Sequence, residues 1–86
     1  MKITSKVTEG MVRIDFDVNQ IQNGKLKDVY EHLNCMKKIS KVVWCDDPFL
    51  IRNGIIIGYY NQFVTTDAMA EHACKNIMKL ILQYDK

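Results

Sequence analysis

The chain has one proline and four glycines in 86 residues, no low-complexity tract and no repeat of fixed period, so neither a disordered segment nor a repeat array fits it. No apolar run approaches the roughly 18 residues that a membrane-spanning helix needs. Nor does one sign of charge dominate. Twelve Lys and Arg against ten Asp and Glu leave a net charge of +2, too small to imply a nucleic-acid partner by itself. The three cysteines, Cys35, Cys45 and Cys74, are an odd number, and no charged-then-apolar leader precedes the first strand pattern. Free thiols in a reducing compartment are therefore expected, cytoplasmic, or nuclear in a eukaryote. The chain also lacks a G-x-x-x-x-G-K or G-x-G-x-x-G phosphate loop, a strand-to-helix nucleophile elbow and any family signature.

What remains is the composition of an ordinary globular protein, 48% hydrophobic and 26% charged, long enough for a single domain over residues 1–86 with one core. Residues 2–18 alternate. Ile3, Ser5 and Val7 share one face of a first strand, and Val12, Ile14, Phe16 and Val18 one face of a second. A two-residue turn at Glu9-Gly10 pairs Val7 with Val12, Ser5 with Ile14 and Ile3 with Phe16. Slipping that register by one residue would mix the faces. The opposite side carries Lys2, Thr4, Lys6, Met11, Arg13, Asp15 and Asp17, a wet face.

Residues 19–24 read as a polar loop with Asn23 as N-cap. From Lys25 to about Ile39 the stripe Leu26, Val29, Tyr30, Leu33 and Met36 predicts an amphipathic helix, with Lys37 and Lys38 at the negative end of its dipole. Thr65, Thr66 and Asp67 precede a last helix whose inner face is Ala70, Ala73, Cys74, Ile77, Leu80, Ile81 and Tyr84. Met69, Met78 and Leu82 widen its apolar side.

Between the helices, residues 42–63 hold the densest apolar run, centred on Asn53-Gly54, the dipeptide best suited to a type I′ hairpin turn. The reading is a hairpin with Arg52 opposite Ile55, Ile51 opposite Ile56, Leu50 opposite Ile57 and Phe49 opposite Gly58. Asp46-Asp47-Pro48 interrupts its first strand as a bulge or an edge, so residues 41–52 form one bent strand or two short ones. The order ββ-α-ββ-α predicts an α+β domain, an antiparallel sheet of four to five strands with two helices packed on one face.

The ligand-type residues do not converge on a chemistry. Asp15 and Asp17 flank Phe16 and share a strand face about 6 to 7 Å apart, the arrangement of a divalent-metal site, but Lys2 and Lys6 lie close enough to pair with them. His32, Cys35, Cys45, His72 and Cys74 are zinc-ligand types, yet His72 and Cys74 point in nearly opposite directions from one helix. A nucleophilic Cys35 or Cys45 would need a base within hydrogen-bonding reach and an oxyanion nest, and the chain has no Gly-rich strand-to-helix elbow to supply the latter. The expectation is a non-enzymatic protein without cofactor or metal.

The apolar surplus of the hairpin is the remaining signal. With Ile51, Ile56 and Phe49 against the helices, Leu50, Ile57 and Tyr59 look outward, flanked by Arg52 and Ile55. Such a patch points to a homodimer, or to a subunit or inhibitor docking on a larger protein. The expected contact residues are Leu50, Arg52, Ile55, Ile57 and Tyr59, with Trp44 and Tyr60 as aromatic anchors. The second reading is single-stranded nucleic-acid binding by Lys25, Lys27, Lys37, Lys38 and Lys41 with the hairpin aromatics Trp44, Tyr59 and Tyr60.

Overall fold

The structure is a computed structural model describing all 86 residues, Met1–Lys86. The alternating N-terminal residues form β1 (Ile3–Thr8) and β2 (Met11–Phe16), an antiparallel hairpin in the expected register, with Val7 opposite Val12, Ser5 opposite Ile14 and Ile3 opposite Phe16. Gly10 closes the turn at φ +77°, a conformation that costs a side-chain-bearing residue about 1–2 kcal/mol. Val12, Ile14 and Phe16 are buried, whereas Arg13 between them is exposed.

Helix α1 (Leu26–Ile39) buries Val29 and Leu33, and Leu26, Tyr30 and Met36 pack half-buried beside them. Its cap differs from expectation. Gly24 takes φ +75° and Lys25 stands at the N-cap without a side-chain hydrogen bond, so Asn23 does not cap. The preceding loop is also less polar in effect than in composition. Ile21 is buried and bridges to Asp85, and the Gln22 amide donates to the Tyr84 carbonyl at 2.8 Å, which ties the end of the chain to this loop.

The central hairpin is the principal correction. Residues 49–52 are not a strand. Val43–Trp44 forms a two-residue β3, Pro48–Arg52 forms a short helix α2, and only Ile55–Tyr59 extends as β4. The same residues that suggested a bulge and a turn serve here as helix ends. The Asp47 carboxylate accepts from the Phe49 amide at 2.9 Å as N-cap, and Pro48 occupies the first turn, where its missing donor costs nothing. At the other end Asn53 has φ −96°, outside the range of a type I′ turn, and Gly54 at φ +76° lets its amide donate to the Ile51 carbonyl at 3.0 Å. A Cβ on Gly54 would run into the carbonyl oxygen of Phe16, whose amide donates to the Gly54 carbonyl at 2.8 Å. The Arg52–Ile55, Ile51–Ile56, Leu50–Ile57 and Phe49–Gly58 pairs are therefore absent, and Phe49, expected inside, is 72% exposed.

Freed from that pairing, β4 lies between β2 and β3. The sheet order is β1-β2-β4-β3, antiparallel throughout, with Ile56 opposite Ile14 and Trp44 opposite Gly58. Because β2 and β3 each run antiparallel to β4, they run parallel to one another and are joined through α1, a split β-α-β arrangement. The last helix, α3 (Asp67–Leu82), is capped by the Thr66 hydroxyl, which accepts from the Met69 amide at 3.2 Å. It buries Ala70, Ala73, Cys74, Ile77 and Ile81 against β1 and β2, while α1 packs at β3. The result is the expected α+β architecture, a four-stranded antiparallel sheet with the two main helices on one face and a single core of 16 buried apolar residues.

At the sheet centre, a Cβ on Gly58 would stand 2.6 Å from Val42 Cγ1 and 2.8 Å from both Trp44 Cε3 and Val12 Cγ2. Gly58→Ala should destabilise the domain by about 1–3 kcal/mol, the usual cost of overpacking a tight core. Chemical denaturation followed by the fluorescence of Trp44, the one tryptophan, measures this, and an unchanged midpoint would contradict the packing described.

Candidate functional site

Two surfaces of the domain carry more apolar or unsatisfied groups than a neutral exterior requires. The first is the face of the sheet opposite the helices. On β4 the residues between Ile56, Gly58 and Tyr60 are Ile55, Ile57 and Tyr59, and they point to this open side. The register adds neighbours. Met11 lies opposite Tyr59, Arg13 opposite Ile57 and Asp15 opposite Ile55 on β2, and Val43 flanks Tyr59 on β3. Val43 is 65% and Tyr59 55% exposed, while Ile55 and Ile57 are half-buried under these neighbours. The β3–β4 half of the face is thus apolar and the β1–β2 half polar. The Arg13 guanidinium holds the Asp15 carboxylate with two nitrogens, Nη2 at 2.9 Å and Nε at 3.0 Å, and the hydrogen bond and the charge of Asp15 raise the arginine's pKa. Exposed to solvent, this pair adds little stability but fixes both groups beside the apolar strip.

Of the seven residues expected at an interface, Ile55, Ile57 and Tyr59 lie together on the open face. Leu50 and Arg52 belong to α2 and leave the sheet, Leu50 half-buried and Arg52 exposed. Trp44 and Tyr60 are not surface anchors. Trp44 is wholly buried opposite Gly58, and Tyr60 is a core residue whose hydroxyl lies 2.6 Å from the Asp67 carboxylate and 2.9 Å from the Thr8 carbonyl. The hydrogen bond to Asp67 raises the Tyr60 pKa, so the phenol keeps its proton in the position that ties the first hairpin to the start of α3. Met11, Arg13, Asp15 and Val43 were not on the list of expected contacts. The alternation of the first hairpin already sets Met11, Arg13 and Asp15 on the outer face; their place beside Ile55, Ile57 and Tyr59 follows from the pairing of β2 with β4, which no local pattern announces.

The second surface is a groove of about 470 Å³ between the end of α1 and the start of α3. Met36, Ile39, Val42, Ala68, Met69 and Ala73 give it an apolar lining. Thr65, also in the lining, is 2% exposed, and its hydroxyl has no hydrogen-bond partner. The loop before it is held by its own turn, with the amides of Val64 and Thr65 both donating to the Asn61 carbonyl. Only the width of α3's apolar side, through Met69, hinted at this groove in the sequence.

The remaining candidates are separated by the fold. Asp15 is held by Arg13, and Asp17 caps the turn after β2 by accepting from the Asn19 amide at 3.0 Å. His32 Nδ1 lies 2.9 Å from the Tyr84 hydroxyl, and no three His, Cys, Asp or Glu side chains come together in the geometry of a metal site. Lys25 pairs with Asp28 and Lys37 with Asp46, whose pKa is lowered chiefly by that hydrogen bond. Cys35 is exposed, Cys45 intermediate and Cys74 buried. Burial, helped by the charge of Glu71, pushes the Cys74 thiol up to about 11. No helix is long and apolar enough to cross a membrane. Comparison of the chain with protein-family models, with curated proteins and with solved structures found no match in any of the three.

Two outcomes follow from these environments. Thr65→Val keeps the shape and removes an unpaired hydroxyl, so it should stabilise the unliganded domain by about 1 kcal/mol in chemical denaturation; a loss of stability would mean that the hydroxyl has a partner. In a thiol titration with a chromogenic disulfide at pH 8, Cys35 should react first. Cys74 should react only as fast as the fold opens, because a thiol with a pKa near 11 is almost wholly protonated there. Equal rates for Cys35 and Cys74 would contradict its burial.

Proposed function

We propose that this domain is a non-enzymatic interaction module that pairs with a second copy of itself through the open face of its sheet. The observation that carries the reading is the apolar strip of Met11, Val43, Ile55, Ile57 and Tyr59 on the side that neither main helix covers. Apolar strips of this kind on sheets mark contact surfaces. A second copy is favoured over an unrelated protein by the charges beside the strip. Arg13 and Asp15, paired within the chain, sit two residues apart on the same face, so a two-fold arrangement can bring the pairs of both copies together with opposite charges adjacent. Tyr59 supplies a large, rigid contact side chain of the kind that dominates interface energies.

The nucleic-acid reading has less to support it, although Lys27, Lys38 and Lys41 form no ion pair. Trp44 and Tyr60 are in the core, which leaves Tyr59 as the sole exposed aromatic of the three, and Lys25 and Lys37 are engaged by acids.

Sedimentation equilibrium of the pure protein tests the proposal. The wild type should show twice the 10.0 kDa mass of the chain at high concentration. Val43→Asp, at a position exposed enough to accept it without unfolding, and Ile57→Asp should each weaken the association at least about tenfold, the equivalent of 1.4 kcal/mol. A wild type that stays monomeric at millimolar concentration would overturn the self-pairing and leave the face to a different protein.

A further inference from the structure

The groove between α1 and α3 lies away from the open sheet face and has its own chemistry. We propose that it binds a small amphiphilic carboxylate, an alkyl or aryl acid whose body lies along the apolar lining and whose carboxylate meets Lys41. The volume of about 470 Å³ falls within the range of small-molecule sites, about 300–1,000 Å³. In its lining Ile39 is 79% and Met69 43% exposed, and an apolar body covering them removes that surface from water. Met36 and Met69 are unbranched and adaptable, which suits a lining that must close around chains of differing shape.

The polar groups fix the sign of the ligand. Among the eleven lining residues Lys41 carries a permanent charge and none is acidic. His72 and Asn76, one turn apart on α3, add groups able to donate hydrogen bonds. Ser40 contributes a hydroxyl that already accepts from the Val42 amide at 3.1 Å and so has its proton free to donate. Thr65, which lines this groove and also a polar recess beside Thr8 and Glu9, has a buried hydroxyl with no partner, a group that gains from any acceptor brought within reach. An alkyl ammonium would meet Lys41 as a like charge and find no carboxylate in the lining.

The five methionines allow a direct test. Protein labelled with 13C at the methionine methyls is titrated with decanoate, 1-decanol and decylammonium below their micellar concentrations. Decanoate should shift Met36 and Met69 saturably and leave Met11 and Met78 in place; Met11 lies on the sheet face, so it reports self-pairing separately from groove binding. Decylammonium should bind at least about fivefold more weakly, and Lys41→Gln should weaken decanoate by about the same factor, which corresponds to one partly exposed ion pair. Ala68→Trp, at an exposed position on the groove wall, should block the shifts while the circular dichroism stays unchanged, and Thr65→Val should weaken decanoate. Shifts at all five methionines, equal binding of decylammonium and decanoate, or persistence of the shifts in Ala68→Trp would overturn the proposal. So would concentration-dependent shifts of Met36 and Met69 without ligand, which would assign the groove to another copy of the chain.

Discussion

The indole of Trp44 occupies the space that a side chain at position 58 would need, and the arrangement of the sheet follows from that contact. Gly58 opposes Trp44 across β3 and β4, and Val12 and Val42 close around the same point. With the largest side chain of the core set over the smallest residue of the sheet, β3 can stay two residues long and still hold the edge. Its short ladder is extended by the Cys45 amide, which donates to the Ile57 carbonyl at 2.8 Å. β4 then has a partner on each side, and its residues divide between a core row of Ile56 and Gly58, continued by Tyr60 just past the strand, and an outer row of Ile55, Ile57 and Tyr59.

That division gives the molecule its two unlike faces. The inner row lies in the core with Val29 and Leu33 of α1, Ile51 of α2, and Ala70 and Ala73 of α3. The outer row has no layer above it. Burying it would take a third layer, and both long helices lie on the other face of the sheet. An apolar strip is therefore a consequence of the topology, with the Arg13–Asp15 pair beside it.

The helix ends have a comparable effect on the other side of the domain. α1 ends at Ile39 and α3 begins at Asp67, and the residues around these ends leave a trough that the sheet does not fill. Thr65 stands just before the cap of α3. The cap itself is satisfied by Thr66, so the neighbouring hydroxyl is left over and its burial is a cost borne by the fold. Thr65 shares this trough with half-covered Met36 and exposed Met69 and Ile39, whereas the other buried polar atom without a partner, Trp44 Nε1, lies in the core.

The sequence by itself determined what depends on residues close together in the chain. Period-two alternation and a glycine turn specified the first hairpin down to its register, and the three-and-four spacing of Val29 and Leu33, and of Ala70, Ala73, Cys74, Ile77 and Ile81, specified the buried stripes of both long helices. From these came the α+β class with helices on one face. What the tertiary structure alone decided was the meaning of Asn53-Gly54 and the partners of β4. An Asn-Gly pair serves a type I′ turn or a helix C-terminus equally well, and Asp47-Pro48 six residues earlier serves a bulge or a helix start. The choice rests on whether residues 55–59 gain more by pairing with residues 49–52 or with β2 and β3. Pairing with β2 sets Ile56 against Ile14 in the core and Gly58 beneath Trp44, contacts between residues about 40 and 14 positions apart whose energies leave no local periodicity to read. The same non-local pairing took Trp44 and Tyr60 from the surface and set Met11, Arg13, Asp15 and Val43 beside the outer row of β4.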